Sequence, residues 1–142
     1  MPPAPTHGLL YRSVATAPIS SDDLLAILVA SRRWNAQNGV TGRLFVEEAD
    51  DACGAFVQWI EGPEEALGRL FRRIAEDPRH ADLSVMASGP IGELAARPGR
   101  LYPDWSMSLE RAEALPSSVG EFLTAYEDQP ERRLVPEWTA AA

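Results

Sequence analysis

The stretch GAFVQWIEGP, from Gly54 to Pro63, has the composition and alternation of a buried β-strand. With a period of two residues, Phe56, Gln58 and Ile60 share one face of this strand. Large side chains also stand on the opposite face, which carries Val57, Trp59 and Glu61. The strand is therefore covered on both sides, and the amide of Gln58 is expected to lie inside the protein.

A buried primary amide brings two donors and two acceptor lone pairs, and each one left unpaired costs roughly 1–3 kcal/mol. Two kinds of partner could satisfy the amide of Gln58. A backbone carbonyl or a serine hydroxyl satisfies the amide, or a bound ligand does. The strand by itself leaves both alternatives open.

The composition limits the size and the partners of the protein. The chain has 142 residues, of which 45% are hydrophobic and 24% charged, and this predicts one domain with a proper core. Its formal net charge of −8 repels phosphate backbones and anionic lipid surfaces. We therefore expect neither a nucleic-acid partner nor a membrane partner.

Cys53 is the only cysteine, and the chain has two histidines. Neither a disulfide framework nor a His/Cys metal cluster is expected from so few ligands. The N-terminus has no secretory pattern, and no apolar run approaches the ~18–20 residues that a bilayer span requires. These features predict a soluble, cytoplasmic protein, and we expect a bacterial one.

The periodicity predicts seven main elements and a C-terminal helix. Ser20 and Ser21 cap the first helix, with Asp22 and Asp23 in its first turn, and Gly39 stops it. An acidic hairpin loop is expected at 48–53, and a long connection without regular structure at 89–103. The strands are expected at about 9–14, 41–47, 54–62, 82–88 and 105–109, and the helices at about 20–38, 64–77 and from 118 onward.

This order, βαββαββ, predicts an α+β, ferredoxin-like fold with a five-stranded mixed sheet. By the right-handed crossover rule, the two crossover helices cover one face of the sheet. The other face is apolar as well. The C-terminal helical segment, or a partner chain, is therefore expected to cover it.

The first helix carries a stripe that changes character along its length. Leu24, Ile27 and Leu28 begin the stripe, and Ser31 and Asn35 continue it at spacings of three and four. A core-facing stripe has no packing reason to end in a hydroxyl and an amide. These two side chains therefore contact either solvent at the edge of the core or a bound polar molecule.

Several polar groups converge on the helix-covered face of the predicted sheet. The first and third strands are neighbours, so Tyr11 and Gln58 are expected to touch. The polar end of the first helix lies over the same face. Trp105 and Met107 reach it from the fifth strand if that strand pairs with the first.

Five separated blocks of the sequence occur in a fixed order. They are YRS at 11–13, SRRWNAQNGVTG at 31–42, FVQWIEGP at 56–63, DPRH at 77–80 and PDWSM at 103–107. Together these blocks resemble the BLUF family of flavin-based blue-light sensors. The resemblance spans about residues 8–110, with residues 1–7 as a flexible arm and residues 111–142 as a C-terminal helical segment and tail.

The resemblance implies a non-covalently bound flavin between the two crossover helices. It makes Tyr11 the electron and proton donor and Gln58 the amide whose rotation or tautomeric change alters the hydrogen bond to the flavin. Asn35 would bond the C4=O and N3–H edge of the ring. Ile27 and Ser31 would line the same pocket.

Four further residues take implied roles. Arg79 and His80 would lie near the C2=O side of the ring, whereas Trp105 and Met107 would report the state of Gln58 to the surface. Plainer interpretations stay open. Tyr11 and Trp105 also suit core aromatics, and Arg79 with His80 suits a pair at a helix end.

The implied function is a non-enzymatic blue-light photoreceptor that binds FAD, with FMN or riboflavin also accepted. Because the sequence ends soon after the resemblance, output is expected through an effector protein, through a homo-oligomer or through the C-terminal segment. One alternative is a flavin-free ferredoxin-like regulatory or protein-interaction module. A hydrolase of similar fold is a second, although Arg12 and the arginines at 97–100 lack a phosphate-cradling context.

Overall fold

The computed structural model describes residues 5–49, 52–96, 99–103, 106–112 and 114–127. These residues form a five-stranded sheet with helices on both faces. The strands are β1 His7–Ile19, β2 Thr41–Ala49, β3 Ala52–Gly62, β4 His80–Pro90 and β5 Ser108–Ala112, and the helices are α1 Ser21–Asn38, α2 Glu64–Glu76, α3 Ile91–Ala95 and α4 Val119–Glu127.

The sheet has the strand order β4-β1-β3-β2-β5. Four of the strands form antiparallel pairs, and β5 lies parallel to β2. The predicted neighbours β1 and β3 are paired, with Tyr11 directly opposite Gln58. The expected α+β fold with a mixed sheet is confirmed.

Local signals in the sequence set the ends of α1. The Ser20 hydroxyl accepts the backbone N–H of Asp23 at 3.2 Å, which satisfies one free donor of the first turn. Gly39 ends the helix with φ near +70°, a left-handed conformation that glycine adopts without strain. Its backbone N–H bonds the carbonyl of Asn35. The helix therefore holds Asn35 in its final turns, close to the sheet.

Two apolar clusters lie on opposite faces of the sheet. The front cluster packs α1 and α2 on the sheet and includes Leu28, Phe56 and Ile60. The back cluster packs α3 and α4 on the other face and includes Trp59 and Phe122, whose rings stack at 5.1 Å. The alternation in β3 therefore separates the two faces as predicted, and a C-terminal helix covers the back.

Three sequence predictions of local structure were wrong. Residues 48–49 and 52–53 belong to strands and not to a hairpin loop, because the β2–β3 ladder continues to the pair Ala49 and Ala52. The connection at 89–103 contains the short helix α3. The fifth strand starts at Ser108, not near residue 105, and it pairs with β2 instead of β1. Met107 thus precedes the strand.

Candidate functional site

A cavity of about 340 Å³ lies on the front face of the sheet, between α1 and α2. This volume is at the lower end of the range of small-molecule sites, roughly 300–1,000 Å³. All the predicted site residues that the structure describes line it: Tyr11, Ile27, Ser31, Asn35, Gln58, Arg79, His80 and Met107. Trp105 lies outside the described residues.

Tyr11 is buried at the floor of this cavity, with 3% of its surface exposed. Its hydroxyl donates a hydrogen bond to Oε1 of Gln58. The ring of Phe71 meets the phenol edge-on, with the ring centres 5.6 Å apart. Burial raises the pKa of Tyr11 well above its usual value, and the nearby charge of Asp77 raises it further. The phenol is therefore protonated at neutral pH and acts as a donor.

The other end of the Gln58 amide contacts a sulfur atom. Its Nε2 donates to Sδ of Met107 at 3.3 Å, across from the phenol. The described residues give the amide these two partners, and neither is the backbone carbonyl or serine hydroxyl of the first alternative. One N–H of Nε2 and one lone pair of Oε1 are left over for another molecule.

Asn35 gives the strongest indication of a ligand. Its Nδ2 donates to the backbone carbonyl of Ser106 at 2.8 Å, and only 1% of the residue is exposed. Its Oδ1 is also buried and has no hydrogen-bond partner among the described residues. Leaving such an acceptor unpaired costs roughly 1–3 kcal/mol. A ligand with an N–H or O–H donor would remove that penalty.

Arg79 and His80 line the cavity, and their polar atoms are hydrogen-bonded to other groups of the protein. Arg79 Nε donates to both carboxylate oxygens of Asp77, at 2.9 and 3.0 Å. These bonds lower the pKa of Asp77 and raise that of Arg79. His80 lies 2.5 Å from the carbonyl of Ile74 through Nε2 and 2.8 Å from the Ser13 hydroxyl through Nδ1. Because a carbonyl only accepts, Nε2 carries a proton, and the ring orientation is fixed.

Sequence reasoning missed three contributors to this site. Ser13 is buried and contacts His80. It lies on the same face of β1 as Tyr11, so the alternation of that strand could have predicted its place near the site. Trp34 and Arg73 line the cavity from α1 and α2, and the guanidinium lies 5.3 Å from the indole centre. No pattern in the sequence pairs these two side chains, because the contact depends on how the helices pack.

The described residues hold no group of three or more His, Cys, Asp or Glu side chains arranged to bind a metal ion. Within the same part of the chain, no helix is long and apolar enough to cross a membrane. The cavity is lined by apolar side chains, one phenol, two amides and a polar end with Arg79 and His80, and it contains the unpaired Oδ1 of Asn35. Such a lining suits a planar ring with polar edges.

Comparison with known proteins identifies the family. The family model described as BLUF, sensors of blue-light using FAD, matches residues 7–108. Photoactivated adenylate cyclase subunit beta of Euglena gracilis is 39% identical over 108 residues, which are 75% of this chain and 11% of that protein. The chain thus spans about a tenth of the length of this curated relative.

Two solved structures agree with this result. The dark-state structure of BlrB, a BLUF protein, has a TM-score of 0.66 and 32% identity, covering 91% of this chain and 89% of that chain. The ground state of BlsA has a TM-score of 0.59 and 30% identity, covering 75% and 65% respectively. The chain belongs to the BLUF family, whose members sense blue light with a flavin cofactor.

Proposed function

We propose that the cavity between α1 and α2 binds the flavin ring and that Tyr11 and Gln58 carry out its photochemistry. The observation that supports this most directly is the buried, unpaired Oδ1 of Asn35, which needs a donor from a bound molecule. The ring N3–H that the family places there is such a donor. A flavin-free interaction module leaves this atom without a partner.

The residues of the chain divide the work of binding. Asn35 fixes the polar edge of the ring, while Ile27 and Ser31 contact it from the same face of α1. Arg79 and His80 close the site at its other end, with Asp77 and Ser13 fixing their positions. Recognition through the ring would accept FAD and also FMN or riboflavin.

A bound flavin, excited by blue light, would be the oxidant that accepts an electron and a proton from this site. Tyr11 is suited to the donor role because it is buried, protonated and hydrogen-bonded to an acceptor. When the phenol gives up its proton, its oxygen no longer donates to Oε1 of Gln58. It then accepts instead, and this favours an N–H of the amide facing it.

The Gln58 amide is therefore the switch. Whether it rotates or changes tautomer, the exchange moves a donor from the Met107 side to the Tyr11 side. The hydrogen bond that the amide offers to the ring changes with it. No covalent bond between the flavin and the protein is proposed, so the change would reverse once the proton returns to Tyr11.

Output is proposed to leave through Met107 and, outside the described residues, Trp105, toward a downstream effector protein or a second copy of the chain. Met107 directly precedes β5, and α4 follows on the back of the sheet. Relatives named as adenylate cyclase subunits are much longer than this chain, which supports signalling to an effector. The stretch itself is proposed to be a sensor without enzymatic activity.

Three further expectations stay predictions. The proposed sensor domain covers residues 8–110, with an arm before it and a helical segment and tail at 111–142. A cytoplasmic location stays a prediction. A bacterial source also stays one, since the curated relatives named above come from Euglena.

The hydrolase alternative has little support, because Arg100 is engaged with the Gly39 carbonyl at 2.7 Å and the Thr41 hydroxyl at 3.0 Å.

The test of the proposal is flavin content. The protein purified from a host that makes flavins should release one flavin per chain on denaturation, and the apoprotein should take up added FAD. A chain that releases no flavin, and whose apoprotein does not quench flavin fluorescence, would disprove the proposed site.

A further inference from the structure

A second buried polar group lies on the back face of the sheet, away from the flavin cavity. Glu61 is fully buried, with 0% of its surface exposed. Within the described part of the chain, no basic side chain forms an ion pair with this carboxylate. A buried carboxylate is costly unless hydrogen bonds satisfy it, so the residue requires an explanation.

Four donors surround the Glu61 carboxylate. Oε1 accepts the indole N–H of Trp59 at 2.7 Å and the backbone N–H of Leu101 at 2.9 Å. Oε2 accepts the backbone N–H of Tyr102 at 2.8 Å and the hydroxyl of Thr41 at 3.1 Å. Two of the four donors are consecutive backbone amides, so the carboxylate fixes the course of the chain at 101–102.

The chain that Glu61 fixes leads directly to the flavin site. We call residues 100–102 and 106–107 the pre-β5 segment. On the front face of the sheet, its Ser106 carbonyl accepts from Asn35 and its Met107 sulfur accepts from Gln58. Only four residues separate Tyr102 from Met107, which limits how far apart the two residues can lie.

Both contacts originate from one strand. Gln58 and Glu61 are three residues apart on β3, so their side chains point to opposite faces of the sheet. Gln58 contacts the pre-β5 segment from the front, and Glu61 contacts it from the back. The position of the sulfur atom relative to the amide is therefore set through β3 from both sides.

We propose that Glu61 is a positioning residue that sets where the Met107 sulfur meets the Gln58 amide, and so sets the lifetime of the light state. This inference rests on the proposed function for the role of Gln58. It assigns no contact between Glu61 and flavin. The carboxylate acts through the pre-β5 segment alone.

A double-mutant cycle on the full chain tests this mechanism. The variants are Glu61→Gln, Met107→Leu and the two combined, and the rate of thermal return to the dark spectrum is measured for each flavin-loaded protein. Glu61→Gln keeps the shape of the side chain but sets an NH₂ group against a backbone donor. Should it fail to fold, Thr41→Val removes one donor from the same carboxylate and takes its place.

Each single variant should change the return rate by roughly three- to tenfold in the same direction, the range expected for one hydrogen bond. The double variant should return at the rate of Met107→Leu, because Glu61 acts through that sulfur. Rates that combine as the product of the two single effects would overturn the proposal. So would a wild-type rate in Glu61→Gln.

A second readout needs no light. The methyl resonance of Met107, followed by NMR in the full chain with methyl-labelled methionine, should move in Glu61→Gln both with and without flavin. The matched control is Leu123→Ala, which perturbs a partly buried side chain of α4 packed against the same back-face cluster. This control should leave the resonance and the return rate unchanged.

The two readouts separate this inference from the proposed function. If the wild-type protein binds no flavin, the proposed function fails, while the methyl resonance of the flavin-free chain still tests the role of Glu61. If the wild type responds to light and the Met107 resonance is the same in Glu61→Gln, the positioning role is wrong. An equal shift in Leu123→Ala would also refute it, because any loosening of the back face would then suffice.

Discussion

The amide of Gln58 is held between the Tyr11 hydroxyl on one side and the Met107 sulfur, 3.3 Å away, on the other. A thioether is a weak acceptor, whereas a phenol is both donor and acceptor. The orientation of the amide is therefore controlled mainly by the protonation of Tyr11. The contact with Met107 is weak enough to be exchanged at little cost.

Replacing the amide should separate binding from response. We expect Gln58→Ala to retain flavin, because Asn35 and the apolar walls of the cavity stay in place. The light-induced spectral shift should be lost, since no amide is left to change its hydrogen bond. Absorption spectra of the loaded variant before and after illumination measure this. A normal shift in Gln58→Ala would contradict the switch role.

Replacing the anchor should have the opposite effect. Asn35→Ala removes the unpaired Oδ1, which is proposed to accept a hydrogen bond from the flavin, and also the bond to the Ser106 carbonyl. We expect flavin affinity to fall by about tenfold, the equivalent of one good hydrogen bond, with a spectral shift in whatever protein is loaded. Titration of the apoprotein measures the dissociation constant. Asn38→Ala, in the last turn of the same helix and outside the cavity lining, is the control and should bind normally.

Burial of two tyrosines predicts how stability depends on alkaline pH. The pKa values of Tyr11 and Tyr102 are raised by burial, so the folded protein holds these protons where the unfolded chain loses them. Their contribution to the free energy of unfolding is complete below the unfolded pKa of about 10 and falls as pH rises above it. In Tyr11→Phe the slope above pH ~10 should be shallower, by up to about 1.4 kcal/mol per pH unit. Urea unfolding across this range tests it, and an unchanged slope would show that Tyr11 titrates normally.

Light should alter the protection of the segment after the switch. Because Met107 directly precedes β5, we expect amide hydrogen exchange in residues 106–112 and in α4 to differ between dark and light. The tail beyond α4 lies outside the described residues, and we expect its exchange to follow the same change. Equal protection there, with changes confined to other surfaces, would mean that the signal leaves elsewhere, for example at the hairpin near residue 50.

The sequence predicted those parts of the structure that depend on local pattern. The period of two in β3 placed Gln58 and Trp59 on opposite faces of the sheet. The caps of α1 placed Asn35 near the C-terminal end of that helix. Both follow from chemistry within a few residues. The pairing of Tyr11 with Gln58 also followed, since β1 and β3 have only a few permitted arrangements.

Features that depend on contacts distant in sequence were not predictable. The five residues of β5 have no strong alternation, and their parallel pairing is determined by the edge that β2 presents. The bond from Asn35 to Ser106 joins residues 71 positions apart and ends on a backbone carbonyl, which no side-chain pattern records. The burial of Glu61 was hidden for the same reason, because two of its donors are backbone amides of a distant loop.

The most direct test of the central claim is the absorption spectrum of the purified full chain before and after a pulse of blue light. The account predicts a yellow protein whose flavin band moves to longer wavelength on illumination and returns in the dark, because only hydrogen bonds around the ring change. Tyr11→Phe, which keeps the ring but removes the transferable proton, should bind flavin without this response. Stable bleaching of the visible band, as a covalent adduct produces, or a wild-type spectrum that light leaves unchanged would contradict the account.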